Sequence, residues 1–173
     1  TVPKGDAAGG LTPYQQDRRL VRSTLVGMGC DETFPMPFLA PGDLSAAGLP
    51  EYGVTLANPL VHEESVLRSS LMPGQLKAIA YNQSHRVGSV SLFEIGHVFL
   101  RSPDDQLLPD EREHLSVALA GKEAPAAVAV LEVLDQALAL PNLVLRSAEP
   151  PGMHPTRSAE ILIAGQVRGH VGE

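Results

Sequence analysis

Two extended segments constrain the fold of this chain more than any other feature of its sequence. Residues 92–100 read LFEIGHVFL, and this apolar run predicts a covered strand over 90–100. Residues 114–121 read HLSVALAG, which alternates leucine or valine with small or polar residues, as half-buried strands do. The SPDD sequence that follows the first segment predicts a turn. Together these patterns favour an antiparallel sheet.

Two polar residues, Glu94 and His97, interrupt the apolar run and leave two interpretations open. In the first interpretation, the strand carries a catalytic acid and base. In the second, both residues have structural roles, because a buried polar side chain is normally held by a hydrogen bond inside the protein. The strand pattern alone does not separate the two.

Three helices accompany the strands. The first runs from Thr12 to about Met28, because Thr12 and Gln15 form a capping box, Pro13 suits the first helical position and Gly29 is a typical stop. A second helix starts at Pro73, and a third covers 124–140. Their predicted apolar faces are Tyr14, Val21, Leu25 and Met28 in the first helix, Leu76, Ile79 and Ala80 in the second, and Leu131, Leu134 and Leu138 in the third.

Shorter strands complete the predicted set of elements. We expect a broken strand near 33–39, a short one ending at Asn58-Pro59, another at 143–147 and a terminal hairpin that turns at Gly165-Gln166. The order of helices and hairpin-connected strands predicts an α+β fold, with an antiparallel sheet and helices packed mainly on one face.

Length and composition indicate a single globular domain. The chain has 173 residues, 43% of them hydrophobic and 19% charged. Residues 1–10 are rich in glycine and alanine and read as a linker, residues 11–173 as the domain, and the whole as a piece excised from a longer chain. Cys30 is the only cysteine, which fits a small buried packing residue and a reducing, cytoplasmic compartment. The net charge of −7 argues against extensive phosphate contacts with nucleic acid.

A search for reactive motifs assigns no catalytic, cofactor-binding or metal-binding residue. The glycines match neither a P-loop nor a dinucleotide fingerprint, and His62 in VHEES has no second histidine four residues later. The adjacent acids at 63–64 and 104–105 read as solvated charges, because neighbouring side chains diverge. Arg68 lies between apolar residues, and it either binds backbone carbonyls or contacts another subunit.

Several segments, in this order, resemble the core of the β subunit of bacterial phenylalanyl-tRNA synthetase. The most specific are NPLVHEESVLRSSLMPGQL (58–76), LFEIGHVF (92–99) and HPTRSAEILIAGQVRGHVGE (154–173), and they follow LTPYQQDRRLVRSTLVGMGCDE (11–32). The likeness covers 11–100 and 152–173 well and 101–151 poorly. Thr156 stands where the family usually has glycine, and the connection at 121–126 is shorter than the aromatic-containing one typical of the family.

The resemblance implies a class II synthetase fold in a degenerate, non-catalytic copy, with the active site in the α subunit. It implies an α2β2 enzyme that uses ATP and magnesium to charge tRNA with phenylalanine, with no cofactor held by this piece. No contact with a membrane is expected, because no apolar run approaches the length of a membrane span. The editing and main tRNA-contacting modules would lie outside these residues. A rival interpretation is a free-standing paralogue that binds an amino acid as a regulator, and a third is an active enzyme in its own right.

The resemblance also bears on the two polar residues of the central strand. In catalytic class II domains the equivalent strand ends in an arginine that binds the ATP phosphate, and here Leu100 takes that position. Arg101 is the next residue, so we expect it to point to the opposite face of the sheet. With that chemistry lost, Glu94 is expected to accept from a backbone N–H or an arginine, and His97 to serve in packing or at an interface.

Overall fold

The computed structural model describes residues 9–102 and 108–173, so most of the predicted 1–10 linker and of the SPDD turn lies outside it. The helices are α1 (Pro13–Gly27), α2 (Asp43–Ala46), α3 (Met72–Ser84) and α4 (Pro125–Leu138), and a 3-10 turn spans His62–Glu64. The strands are β1 (Asp31–Glu32), β2 (Phe38–Leu39), β3 (Val54–Thr55), β4 (Val66–Leu67), β5 (Val90–Leu100), β6 (Asp110–Ala120), β7 (Val144–Ser147), β8 (Ser158–Ile163) and β9 (Gln166–Gly172).

Both predicted strands are confirmed, although β6 begins at Asp110, four residues before the predicted segment at 114–121. Strands β5 and β6 pair antiparallel over eleven residues each, from Val90 opposite Ala120 to Leu100 opposite Asp110. Strand β1 joins the free side of β5 in parallel, opposite Leu92 and Phe93. Because side chains alternate along β5, this sheet offers two faces, and both are covered.

The expectation of a single antiparallel sheet is wrong in its details, although the α+β class is correct. In the described part of the chain the strands form three sheets, ordered β1-β5-β6, β2-β4-β3 and β7-β8-β9, and the β1–β5 pair is parallel. Helices also pack on both faces of the β5–β6 pair. Strands of two residues are too short to show periodicity, which is why β4 was not predicted and β3 ends earlier than expected.

The main core lies on the face of β5 that carries the odd-numbered side chains. Phe93 and Ile95 are buried there against residues of α1 and α4 and against Cys30. The predicted packing role of Cys30 is thus confirmed, and burial raises the pKa of its thiol. Helix α3 lies on the opposite face.

Helix α1 begins and ends as predicted. Both hydrogen bonds of the capping box between Thr12 and Gln15 are present, and the chain leaves the helix through Gly29, which has a φ of +81°. The predicted face is half right. Leu25 is fully buried and Val21 packs against the core, but Tyr14 is 57% exposed and Met28 is also exposed. The first turn of α1 extends past the core, and the Tyr14 hydroxyl donates a hydrogen bond to Glu113 on β6.

The apolar face predicted for α3 is wrong, and that of α4 is largely right. In α3, Leu76 is 46% exposed and Ala80 is exposed, whereas Gln75 is almost fully buried. In α4, Leu134 is buried, and Leu131 and Leu138 are half-buried beside it. The terminal hairpin turns at Ala164-Gly165, one residue before the predicted position, because these two residues adopt the positive φ angles of the turn.

Leu25→Ala tests whether the inner face of α1 is a true core. The variant is expected to lose about 2–5 kcal/mol of unfolding free energy, because a fully buried leucine is truncated and leaves a cavity. Urea unfolding measures the loss. Leu20→Ala, at an exposed position of the same helix, is the matched control and should change the stability far less. Equal losses in the two variants would contradict this assignment of the core.

Candidate functional site

A buried ion pair lies on the even-numbered face of β5, beneath α3. The Arg68 guanidinium, which follows β4, places Nη1 2.6 Å from Oε1 of Glu94. Arg68 is 6% exposed and Glu94 3% exposed, so the pair is removed from solvent. The prediction that Glu94 accepts from an arginine is confirmed.

Arg68 also joins three segments through backbone groups. Its Nε donates to the carbonyl of His97 at 2.8 Å, and its Nη1 reaches the carbonyl of Pro35 at 3.5 Å. Its own N–H donates to the Pro37 carbonyl at 3.0 Å, and its carbonyl accepts from the Phe99 N–H at 2.8 Å. The interpretation that this arginine binds backbone carbonyls is confirmed. Through these hydrogen bonds Arg68 joins β4 and the 35–37 segment to β5.

The missing side chain of Gly96 leaves the space on β5 that the Arg68 guanidinium occupies. A Cβ atom at this position would lie 2.5 Å from Nη2 of Arg68 and 2.6 Å from Oε1 of Glu94. Both distances are shorter than any ordinary contact of a Cβ atom. The FEIG sequence therefore combines an acid with a gap two residues later, on the same face of the strand, into which the arginine fits.

Gln75 and Thr33 extend the buried polar cluster. The Gln75 amide Nε2 donates to Oγ1 of Thr33 at 2.8 Å. Thr33 in turn donates to the Phe93 carbonyl, from Oγ1 at 3.2 Å and from its N–H at 2.8 Å. The cluster thus ties α3 and the segment after β1 to the same strand. Neither residue was predicted from the sequence, and the only available signal was a glutamine within the apolar part of a helix.

Burial dominates the electrostatics of Glu94. It raises the pKa of this carboxyl above the ordinary value of 4.5, although Arg68 and the Gln75 amide act in the opposite direction. A raised pKa is one property of a general acid or base, but a catalytic carboxyl must also reach a substrate. Here one carboxylate oxygen binds Arg68 and the residue is enclosed, so the arrangement fits a structural role.

Glu94→Gln tests this pKa. Since the folded pKa lies above the unfolded one, Glu94 contributes stability at low pH, and this contribution is lost as the pH rises through the folded pKa. The parent chain should therefore lose stability relative to Glu94→Gln as the pH rises from about 4.5, as measured by urea unfolding at several pH values. Glu32→Gln, which removes the carboxylate bound by Arg22, controls for loss of an ion pair. A stability difference that does not vary with pH would contradict the shift.

Leu100 and Arg101 differ in exposure, and their predicted placement on opposite faces of the sheet stays a prediction. Leu100, the last residue of β5, is half-buried, whereas Arg101 is exposed and does not lie beside Glu94. The His97 side chain is exposed, so it does not pack in the core of this chain, and its predicted interface role stays a prediction. Within the described ranges, no group of three or more His, Cys, Asp and Glu residues could hold a metal ion.

A second polar cluster lies on the other face of the sheet, at the start of α1. Arg18 Nε binds Oε1 of Glu113 at 3.0 Å, and the same carboxylate accepts from the Tyr14 hydroxyl. These residues border an open cavity of about 320 Å³ between α1, β6 and the end of α4, with Ile95 and Leu115 in its lining. No reactive constellation is formed here, because the Glu113 carboxylate is already bound by Arg18 and Tyr14.

Comparison with known proteins identifies the family. A model described as the phenylalanyl tRNA synthetase beta chain CLM domain matches residues 1–173. The chain belongs to this family. Two similar proteins are named phenylalanine–tRNA ligase beta subunit: that of Geobacillus kaustophilus (strain HTA426) is 36% identical over 189 residues, and that of Bacillus subtilis (strain 168) is 31% identical over 189. Both alignments cover 100% of this chain and 23% of the relative.

The chain therefore spans about a quarter of the length of these phenylalanine–tRNA ligase beta subunits, and the predicted family is confirmed. A solved structure of Desulfitobacterium hafniense PylSc, a pyrrolysyl tRNA synthetase, superposes with a TM-score of 0.69. The superposition covers 90% of this chain and 54% of that one at 14% identity, so it shows a shared fold. In the described residues, no helix of this beta-chain domain is both long and apolar enough to cross a membrane.

Proposed function

We propose that this chain is the non-catalytic core of a phenylalanine–tRNA ligase β subunit, a scaffold against which the α subunit packs. Residues 11–173 would form the domain and residues 1–10 a linker. The observation that carries the proposal is the family match over 1–173, taken together with the polar cluster at Arg68. That cluster occupies the face of β5 around Glu94 and Gly96 with the chain's own side chains.

The finer architecture in this proposal is a degenerate class II synthetase core, and the fold shared with a pyrrolysyl tRNA synthetase supports it. A Leu100 in place of a phosphate-binding arginine cannot offset phosphate charge, and Glu94 is enclosed. The reaction then belongs to the whole enzyme: ATP-dependent activation of phenylalanine, with magnesium, followed by transfer to tRNA. The residues of this chain would support the assembly and take no chemical step.

The surface supports a protein partner better than a nucleic-acid partner. Apolar side chains are exposed on α1 and in the 34–36 segment, as expected of a surface that is covered in an assembly. Examples in these two regions are Val26, Phe34 and Met36. With a net charge of −7, the chain would supply few phosphate contacts to tRNA. We place the α2β2 enzyme in the cytoplasm, a compartment compatible with a single, unpaired cysteine.

Co-expression with the α subunit of the same organism tests the scaffold. The tagged 173-residue chain should retain the α subunit through size-exclusion chromatography. Phe34→Asp and Val26→Asp each place a charge in one of the two exposed apolar regions, and each should weaken that retention if its region contacts the α subunit. Leu108→Asp places a charge at an exposed apolar residue outside these two regions and is the control for an added charge. Failure of the folded chain to retain the α subunit would contradict the proposal.

ATP–pyrophosphate exchange tests the absence of catalysis. The chain alone should show no phenylalanine-dependent exchange, whereas an active enzyme in its own right would. The regulatory paralogue gains no support from the comparisons, in which the relatives are named ligase beta subunits. Calorimetric titration with phenylalanine separates this alternative, because a regulatory module should bind the free amino acid without an α subunit.

A further inference from the structure

Two acceptor atoms in the buried polar cluster have no hydrogen-bond donor within the described ranges. They are Oε2 of Glu94 and Oε1 of Gln75. Both residues are enclosed, Glu94 at 3% and Gln75 at 1% exposure. Their other polar atoms are engaged, because Oε1 of Glu94 binds Arg68 and Nε2 of Gln75 donates to Thr33. A buried acceptor without a donor loses the hydrogen bonds that bulk water would supply, so native proteins rarely leave one unpaired.

The two acceptors belong to neighbouring side chains. The Gln75 amide is close enough to the Glu94 carboxyl to lower the pKa of that group through a hydrogen-bonding interaction. The backbone also brings them together. Gln75 donates to Thr33, and the Thr33 N–H donates to the carbonyl of Phe93, the residue before Glu94. One small molecule between α3 and β5 can therefore reach both acceptors.

We propose that a single internal water molecule lies between α3 and β5, where it donates one hydrogen bond to Oε2 of Glu94 and the other to Oε1 of Gln75. The charges around this position favour a neutral molecule. The Arg68 guanidinium opposes a cation, and the Glu94 carboxylate opposes an anion. Water is a small neutral molecule with two donor hydrogens, and buried polar groups are commonly satisfied by it.

The sheet beneath Gln75 carries small side chains beside the carboxyl. On β6, Ser116 lies opposite Glu94 and Ala118 lies opposite Leu92. Residues opposite one another in an antiparallel pair project to the same face, so both small side chains lie on the face of Glu94. They leave room beside the carboxyl, as a buried water requires. The water would add a second polar link between α3 and the central strand, next to the hydrogen bond from Gln75 to Thr33.

A crystal structure of the 173-residue chain and oxygen-17 relaxation dispersion test this site together. The crystal structure should show a water oxygen at about 2.5–3.0 Å from both Oε2 of Glu94 and Oε1 of Gln75. Relaxation dispersion counts the long-lived internal water molecules in solution, and Gln75→Met should hold one fewer than the parent chain. Gln83→Met, at an exposed position of α3, is the matched control and should retain the parent's number. Circular dichroism establishes first that both variants fold.

Several results would overturn the proposal. Direct contact between Oε2 of Glu94 and Oε1 of Gln75 would mean that they share a proton, and a hydrogen bond from the Ser116 hydroxyl to Oε2 would supply the donor without water. An unfolding midpoint in urea that changes when sodium replaces potassium at constant ionic strength would indicate a bound cation. An equal number of long-lived waters in Gln75→Met and the parent would also contradict the site. If Gln75→Met does not fold, the electron density of the parent decides alone, and no peak within reach of both atoms counts against the proposal.

Discussion

Arg68→Met is expected to lower the free energy of unfolding by about 3–5 kcal/mol, because it leaves a buried carboxylate without its partner. Glu94 is 3% exposed, so water cannot replace the lost guanidinium. The variant also loses the hydrogen bond to the His97 carbonyl, which joins β4 to β5. Methionine retains most of the apolar stem, so the loss reports mainly on the charged group. Urea unfolding at neutral pH measures it.

Two further variants make this expectation specific. Arg146→Met removes an arginine whose side chain is 59% exposed and pairs with Glu160 at the surface, so it should cost about 0–1 kcal/mol. The double variant Arg68→Met/Glu94→Leu should recover much of the loss, because an apolar pair leaves no buried charge behind. If Arg68→Met cost no more than Arg146→Met, the ion pair would have no special role in holding the fold.

The elements with strong local signals were predictable. Helix α1 has a complete capping box at Thr12 and a glycine stop, and both signals act within a few residues. Strand β5 has the predicted bounds because its apolar run is long, and β6 was recognised from its alternation. By contrast, β2, β3 and β4 have two residues each, and their existence depends on one another's hydrogen bonds, which no local pattern records.

The two errors about helix faces have tertiary causes. For α3, the apolar residues indicate the wrong side, because Gln75 finds Thr33 as a partner and is buried in place of Leu76. For α1, Tyr14 is apolar in pattern, but its hydroxyl binds Glu113 at the surface. In α3 a polar atom on a distant element helps to decide which side of the helix turns inward, whereas in α1 the inward side is as predicted and only the first turn extends past the core.

For the site, the sequence could predict that each residue needs a partner, but it could not predict which partner. A lone acid in a buried strand demands a partner, and a lone arginine among apolar residues demands acceptors. For Arg68 the sequence left backbone carbonyls and a subunit contact both open, and for Glu94 the family resemblance favoured the structural role. Nothing in the sequence says that Arg68 and Glu94 satisfy one another. That pairing follows from β4 ending against β5 at Phe99, where the Arg68 carbonyl accepts the strand's N–H.

Gly96→Ala is expected to approach the loss caused by Arg68→Met, although it adds only a methyl group. The new Cβ would lie 2.5 Å from Nη2 of Arg68 and 2.6 Å from Oε1 of Glu94, so the ion pair must separate or the strand must shift. Overpacking costs about 1–3 kcal/mol, and separating the pair adds part of the cost of a buried, unpaired charge. Urea unfolding again measures the change.

The double variant Gly96→Ala/Arg68→Met tests why Gly96→Ala lowers the stability. If the added methyl group acts by displacing the guanidinium, the substitution at Gly96 should cost much less once Arg68 is absent, and the two losses should not add. Gly27→Ala, at a position where a Cβ would meet nothing within 4 Å, is the control and should leave the stability unchanged or slightly higher. Additive losses at Gly96 and Arg68 would instead mean that the glycine serves the strand for a reason unrelated to the arginine.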